Sequence, residues 1–385
     1  MRYMNKTSAK SIKSETEYYP DGWKLNIIGD FLSLEYGKGL KEDLRKPGKV
    51  PVYGSNGVVG YHNEQMVDGP GIIVGRKGSA GEVIFSKKGF FPIDTTYFVK
   101  TNLDKSYIYY LLKNLDLKKF VGSSAVPGLN RNDVYSQIVA IPKAENEQQK
   151  IAEILSSLDD KIELNRQMNA TLEKIASTLF KKWFVDIGDE LPKGWKKGAI
   201  SDFGSVICGK TPPKSVKEYF GGNFPFIKIP DMHGSPFIFI TEDSLSEMGM
   251  NFQKNKVIPA GSICVSCIAT VGLVSMTTVN SQTNQQINSI VPSEKYYQFY
   301  LYETFKNISG LLQRMGSSGS ATLNVNTTSF SAIEILRPTD AALEKFDRIV
   351  RPFFDQIKHN LQENINLSIL RDSLLPRLMS GRIRV

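Results

Sequence analysis

The sequence predicts an α+β protein: two mixed, sheet-rich domains separated by two long antiparallel helices that form a coiled-coil spacer, the whole built as a pseudo-two-fold internal repeat. Three observations carry this. Pro20-Asp21-Gly22-Trp23 returns as Pro192-Lys193-Gly194-Trp195, and at the same spacing Asp30-Phe31 returns as Asp202-Phe203 and Gly37-Lys38 as Gly209-Lys210. Each copy is dominated by short apolar runs broken by glycine, the texture of strands and turns. Each copy also ends in a long run with apolar residues at helical spacing.

The repeat continues beyond its first motifs. Gly122-Ser123-Ser124 followed by Leu129-Asn130 recurs as Gly316-Ser317-Ser318 followed by Leu323-Asn324, in the same order but at wider spacing. Such a period far exceeds the about 20 to 50 residues of a solenoid unit, so each copy should carry its own core.

Taken in order, residues 1–19 are a polar, Lys-rich tail, expected to be flexible, and 20–143 form the first domain. Its strands are expected at Gly71–Gly75, Val83–Phe85 and Thr96–Val99. A helix at Tyr107–Leu115 should have its counterpart at Tyr296–Phe305 in the second domain, 188–338. Residues 144–187 are the first spacer helix. From Glu145 to Phe184 there is no Gly or Pro, and Ile151, Ile154, Leu158, Ile162, Met168, Leu172, Ile175, Leu179 and Trp183 follow near-heptad spacing. Residues 339–385 hold the second helix and a C-terminal tail, with Phe346, Ile349, Phe353, Ile357, Leu367, Leu370 and Leu374 as its stripe and a kink or late start at Pro352.

With Ile151 at a heptad a position, Asn165 is also an a, and counting sevens from Phe346 reaches Asn360. Antiparallel packing would set these two amides face to face and fix the register; the plainer reading leaves both solvated at a helix edge. A helix of roughly 37 residues rises about 55 Å, which matches about 16 base pairs of duplex at about 3.4 Å each.

Composition narrows the function. With 41% hydrophobic residues each copy can bury a core, and a net charge of +9 favours an anionic partner such as nucleic acid. No stretch approaches the roughly 20 apolar residues of a membrane span, and the N-terminus has no apolar signal core, which predicts a cytoplasmic protein. The three cysteines, Cys208, Cys264 and Cys267, do not make a disulfide framework.

Several motifs imitate chemistry. Gly204 to Thr211 satisfies the letters of a phosphate-binding P-loop, the basis of an alternative reading as an ATPase or nuclease acting alone. Pro212-Pro213 then removes amides where a phosphate-cradling helix must begin. Cys264-x-x-Cys267 lies in a strand-like run where Cys serves as a small apolar residue, so no metal site is expected. With only His62, His233 and His359 in the chain, no nucleophile–base pair stands out and no catalytic residue is assigned.

The loops hold better candidates for DNA. Arg76, Lys77 and Ser79 sit on a glycine-rich hairpin tip able to approach a phosphate or a base edge, or serve as a solvated turn. Lys38, Tyr53, Ser55, Asn56, Thr95, Thr96, Ser123, Asn130 and Arg131 in the first copy, and Lys210, Thr211, Lys214, Lys228, Thr270, Asn284, Gln285, Gln286, Ser317 and Asn324 in the second, supply amides, hydroxyls and cations. Asn and Gln pair with adenine and Arg or Lys with guanine, although Asx turns and caps use the same residues.

Taken together, the motifs resemble the specificity subunits of type I restriction-modification systems across nearly the whole chain. The resemblance is carried by Tyr53-Gly54-Ser55-Asn56-Gly57 with Gly60, by Gly75-Arg76-Lys77-Gly78-Ser79, and by Ile141-Pro142 leading into Glu147-Gln148-Gln149-Lys150-Ile151. Leu158-Asp159-Asp160-Lys161-Ile162, Leu179 through Asp186 and Leu374 through Gly381 add to it. The resemblance implies two target-recognition domains, each reading half of a bipartite, asymmetric double-stranded DNA site. It also implies that the helices dock methyltransferase subunits, two of them; Ile151, Leu158, Asn165, Leu172, Leu179, Trp183, Phe353, Asn360, Leu367 and Leu374 are the coil or partner positions. Restriction subunits would join through the complex. This chain would be non-catalytic and bind no cofactor; S-adenosylmethionine, ATP and Mg would belong to the partner subunits. The second copy departs from the Gly75-Arg76-Lys77-Gly78 pattern near Val265 to Gly272, so the two domains should contact different sequences.

Overall fold

The computed structural model describes residues 20–122, 127–188, 190–317 and 324–385, the side chain of Ser317 excepted. The chain divides into two compact units, one running to Glu163 and taking in Asn364–Val385, the other Leu164–Glu363. The division falls within the long helices rather than at their ends.

In the first unit the repeated Pro-x-Gly-Trp motif is a tight turn: the Trp23 amide donates to the Pro20 carbonyl at 3.1 Å, with Gly22 at φ +87°. It leads into β1 (Trp23–Ile27), then β2 (Leu32–Tyr36), β3 (Val50–Gly54), β4 (Gly57–His62), β5 (Gly71–Gly75), β6 (Val83–Ser86), β7 (Phe91–Pro92) and β8 (Thr96–Thr101). Helices α1 (Lys105–Leu115) and α2 (Arg131–Tyr135) precede β9 (Ile138–Pro142), which returns to pair antiparallel with β1. The main sheet has the order β2-β8-β5-β6, and β4-β3-β7 forms a second. β5 is buried at every residue because both of its faces are covered. Ile72 and Val74 face a core with Leu34, Tyr107, Leu111 and Ile151, while Ile73 faces a smaller one with Tyr53, Phe90 and Phe98.

The second unit repeats this construction. Trp195 donates to Pro192 at 3.0 Å with Gly194 at φ +82°. The strands are β10 (Lys196–Ala199), β11 (Gly204–Cys208), β12 (Phe220–Ile227), β13 (Phe237–Ile238) and β14 (Asp243–Leu245), followed by α4 (Glu247–Phe252). Then come β15 (Ile263–Ser266), β16 (Val274–Thr277), β17 (Gln282–Thr283), β18 (Ile287–Pro292), α5 (Gln298–Asn307), α6 (Ser309–Ser317), α7 (Thr327–Ser331) and β19 (Glu334–Arg337). The main sheet runs β11-β18-β15-β16-β13. β15 splits its side chains as β5 does: Ile263 and Val265 join Phe203, Tyr300 and Phe354, whereas Cys264 joins Ile227 and Ile287.

Two long helices remain. The first, α3 (Glu145–Phe180), continues as a π-helical turn through Lys181–Val185 and matches the expected span. The last, α8 (Asp340–Met379), corrects the expectation of a late start at Pro352: it begins before that residue and runs through it and Pro376. Pro352 is exposed, so water can take the carbonyl that its missing N–H leaves free.

Burial along α3 falls on Ile151, Leu155, Ile162, Asn165, Asn169, Ala176 and Phe180, with Leu158, Leu172, Leu179 and Trp183 half-buried. Met168 and Ile175, expected on the stripe, lie off it and are exposed, as are Ile349 and Leu370 on α8. In α8 Val350, Phe354, Ile357 and Asn360 are buried, while Phe353, Leu367 and Leu374 are half-buried.

Asn165 and Asn360 are both buried, but Asn360 donates to Asn169 at 2.8 Å, and Asn165 donates to Glu363 at 2.7 Å. The amide pair is therefore Asn169 with Asn360. Counting sevens placed both Asn165 and Asn360 at a positions, whereas Asn360 meets Asn169, four beyond Asn165, and Asn165 meets Glu363, three beyond Asn360.

Candidate nucleic-acid interface

In the first unit five loops converge. The Gly37 amide donates to Thr96 and the Lys38 amide to Pro92, at 3.1 and 3.0 Å. A Cβ on Gly37 would meet the Ile93 carbonyl at 2.1 Å, and one on Gly209 would meet the Asn284 carbonyl at 2.2 Å, so close approach of two chains accounts for the repeated glycine. The Thr95 carbonyl accepts from Ser55 Oγ at 2.6 Å and from the amides of Arg76 and Lys77 at 2.9 and 3.2 Å. The Arg76 carbonyl in turn accepts from the Leu129 amide at 3.0 Å, tying the start of α2 to the same place.

This scaffold sorts the candidate residues. Tyr53 packs edge-on against Phe90 in the smaller core, and Thr96 is wholly buried with its hydroxyl donated to Ile93. Ser55 is buried on Thr95. These three are corrected to supports, since their side chains do not reach the surface. Asn130 is exposed but caps α2, accepting from the Asn132 amide and donating to Asp133. Lys38, Asn56 and Lys77 are exposed; Ser79, Thr95, Arg76 and Arg131 are partly so. Ser123 lies outside the described residues, as do residues 1–19, and of Ser317 only the backbone is described.

Sequence reading missed two residues here, Tyr36 and Tyr97. Their rings are 5.1 Å apart; Arg76 lies over Tyr36 at 5.2 Å, and Arg131 lies over Tyr36 at 4.6 Å and Tyr97 at 5.5 Å. Burial, and then the Tyr36 hydroxyl beside it, raise the Tyr97 phenol above its usual pKa. The signal available was that Tyr36 directly precedes the repeated Gly-Lys and that Tyr97 follows the Thr pair.

The second unit keeps the main-chain scaffold and changes the side chains. Ser266 donates to Leu273 and Gly272 to Ser266, as Gly75 donates to Glu82 and Gly81 to Gly75. Cys267 donates to Gln286 and accepts from Val325, as Arg76 donates to Thr95 and accepts from Leu129. Cys267 thus stands where Arg76 stands, Ala269 (φ +64°) where Gly78 (φ +74°) does, and Thr270 where Ser79 does. The helix cap equivalent to Asn130 is Asn326, which accepts from the Ser329 amide, and not Asn324 as the sequence offset implied. Asn288 and Thr327, joined by a 3.0 Å hydrogen bond, occupy the places of Tyr97 and Arg131.

Of the remaining candidates, Lys210, Lys214, Thr270, Gln285 and Asn324 are exposed and Gln286 is half-buried; Thr211 donates to Gln285 at 2.8 Å. Asn284 is buried and bonds Gln286. Lys228 is ion-paired to Glu242 at 2.9 Å and to Asp243 at 3.0 Å.

The P-loop-like segment is β11 followed by extended chain, with the Gly209 and Lys210 amides donated to Ile287 and Thr283 rather than opening onto a phosphate. Cys264 and Cys267 enter different cores, and burial pushes their thiols up to about 12 and about 11. Among the described residues, no helix is long and apolar enough to cross a membrane.

A sequence-family model for the type I restriction modification DNA specificity domain matches residues 20–174 and again 192–367. The chain belongs to the type I specificity-subunit family. It is 41% identical over 332 residues to the HindI specificity subunit of Haemophilus influenzae, covering 68% of this chain and 72% of that one. It is 30% identical over 314 residues to the MjaIX specificity subunit of Methanocaldococcus jannaschii, covering 74% and 71%. A crystal structure of the S subunit of a type I restriction-modification system from M. genitalium shares the fold, with a TM-score of 0.67 over 94% of this chain and 96% of that one at 18% identity. The relatives are named as specificity subunits of type I restriction enzymes.

Proposed function

We propose that this specificity subunit reads a bipartite, asymmetric double-stranded DNA target, one half with each sheet-rich unit, and directs adenine methylation by partner subunits. The observation that carries it is the double match to the specificity domain, on two units with separate cores and differing side chains on one main-chain scaffold. In this reading α3 and α8 form a coiled-coil spacer between pseudo-two-fold related halves and dock two methyltransferase subunits. Restriction subunits join that complex. The chain is non-catalytic and works in the cytoplasm; S-adenosylmethionine, ATP and Mg act on the partners.

The test replaces residues 20–143 by the corresponding segment of a relative with a different target and maps methylated adenines in cells carrying the partner subunits. One half of the methylated motif should change and the other persist. Retention of both original halves refutes the assignment.

A further inference from the structure

We infer that Arg76 reads a guanine in the half-site of the first unit, from a Tyr36–Tyr97–Arg131 platform that the second unit lacks. The inference rests on the proposed function and names the base chemistry of its first reading surface.

Several arginines elsewhere are held by carboxylates, Arg337 by Asp340, Arg351 by Asp347, Arg371 by Asp159 and Arg384 by Glu147, while Arg45 donates to the Val59 carbonyl. Arg76 and Arg131 instead share one tyrosine ring. Arg131 is anchored further, donating to the Leu34 carbonyl at 3.1 Å and lying over Tyr97. Arg76 has its Nε buried with no acceptor among the described residues, while the residue as a whole remains partly exposed. Two cations over one ring, with no ion pair to either among the described residues, make a site that attracts an acceptor group.

A guanine edge fits better than a phosphate. A phosphate needs only a nearby cation, which exposed Lys38 and Lys77 already supply on the same loops. The buried Nε and the Tyr36 ring beneath its Cζ limit where the Arg76 fork can point. That restraint is of use to a ligand with two coplanar acceptors at fixed spacing, the O6 and N7 of guanine in the major groove. In the second unit the same place holds Cys267, with Asn288 and Thr327 bonded to each other, so no guanidinium fork is offered there. The guanine preference should therefore belong to one half-site only.

The experiment uses the full chain assembled with its methyltransferase subunits, with methylated adenines mapped by sequencing. Arg76→Gln should abolish the preference for guanine at one position of one half-site and leave the other half unchanged. Arg76→Lys should fail to restore it, because an ammonium has no fork. Tyr36→Leu, at a ring that is 49% exposed and with an apolar contact for Tyr97 kept, should weaken the same preference. With purified complex, replacing that guanine by 7-deazaguanine should weaken wild-type binding about 5- to 150-fold and leave Arg76→Gln binding almost unaltered. An unchanged motif in Arg76→Gln overturns the inference, as does a uniform loss of binding with no base preference altered, the mark of a phosphate contact. A wild-type complex that methylates without any sequence restriction would instead refute the proposed function itself.

Discussion

Glu303→Gln should make the second unit more stable at pH 8 and no more stable at pH 5. Glu303 lies on α5 and is 1% exposed, with Oε1 lacking any hydrogen-bond partner. Burial pushes its carboxyl up to about 7 from an ordinary 4.5; the nearby Lys306 ammonium offsets this only in part, since it is also held by Glu173 at 3.2 Å. A carboxyl whose folded pKa lies above its unfolded value binds more protons in the folded state. Its contribution is thus most favourable below about 4.5 and is lost as pH rises to about 7. The difference amounts to about 3 kcal/mol above neutrality. Glutamine removes that cost but buries an amide, which returns about 1 to 2 kcal/mol. The net gain of about 1 to 2 kcal/mol at pH 8 corresponds to about 2 to 4 °C per kcal/mol for a unit of this size. Melting of the whole chain, wild type against variant, from pH 5 to 8.5 gives the readout. A difference in melting temperature that does not vary with pH would refute the argument, because it would show that Glu303 is not neutralised by burial.

Phe354→Ala should cost about 3 to 5 kcal/mol, since Phe354 is wholly buried, stacked on Phe299 at 4.3 Å and met edge-on by Tyr302; urea unfolding measures it. Asn360→Leu should cost about 2 kcal/mol by orphaning Asn169, and adding Asn169→Leu should recover most of it, which a double-mutant cycle resolves. Leu172→Asp should destabilise the second unit by about 2 to 4 kcal/mol by placing a charge against its core, and should reduce co-purification with partner subunits. Lys210→Ala should leave ATP hydrolysis by the assembled complex unaltered while lowering the salt dependence of DNA binding by about one charge, as measured by titration at several salt concentrations.

The elements whose form depends on local periodicity were legible in the sequence. α3 was readable because its 36 residues contain no helix breaker and carry their apolar residues at near-heptad spacing. α1 matched within two residues of its start. The Pro-x-Gly-Trp repeat was readable because both copies make the same turn. Pro352 misled because a proline's effect on a helix depends on whether its freed carbonyl meets water, which is a tertiary property. The pairing of Asn360 was misassigned for a related reason: heptad counting fixes a residue's face, and only packing fixes which residue of the neighbouring helix it meets. Tyr53 and Thr96 were read as exposed because polar and aromatic residues in glycine-rich loops look alike whether they face water or support a turn. The Tyr36–Arg131 stack joins residues nearly a hundred positions apart, and no spacing rule in a single chain links them.

The two units place different side chains on one main-chain arrangement. The bonds that hold the loop cluster together are made by the main chain: the amide of Arg76 or Cys267 donates to Thr95 or Gln286, and the carbonyl of the same residue accepts from Leu129 or Val325. Because neither bond involves a side chain, an arginine at one position and a cysteine at its counterpart leave the scaffold intact. The side chains that do stabilise it, Ser55 and Thr96 in the first unit, point inward and are not part of the exposed set. In the proposed reading, stability and recognition fall on different atoms of the same residues. On the same reading, exchanging Arg76 should alter which bases are preferred at little cost in folding, whereas exchanging Gly37 or Gly209, where a Cβ would strike a carbonyl at about 2 Å, should damage the fold before any preference can change.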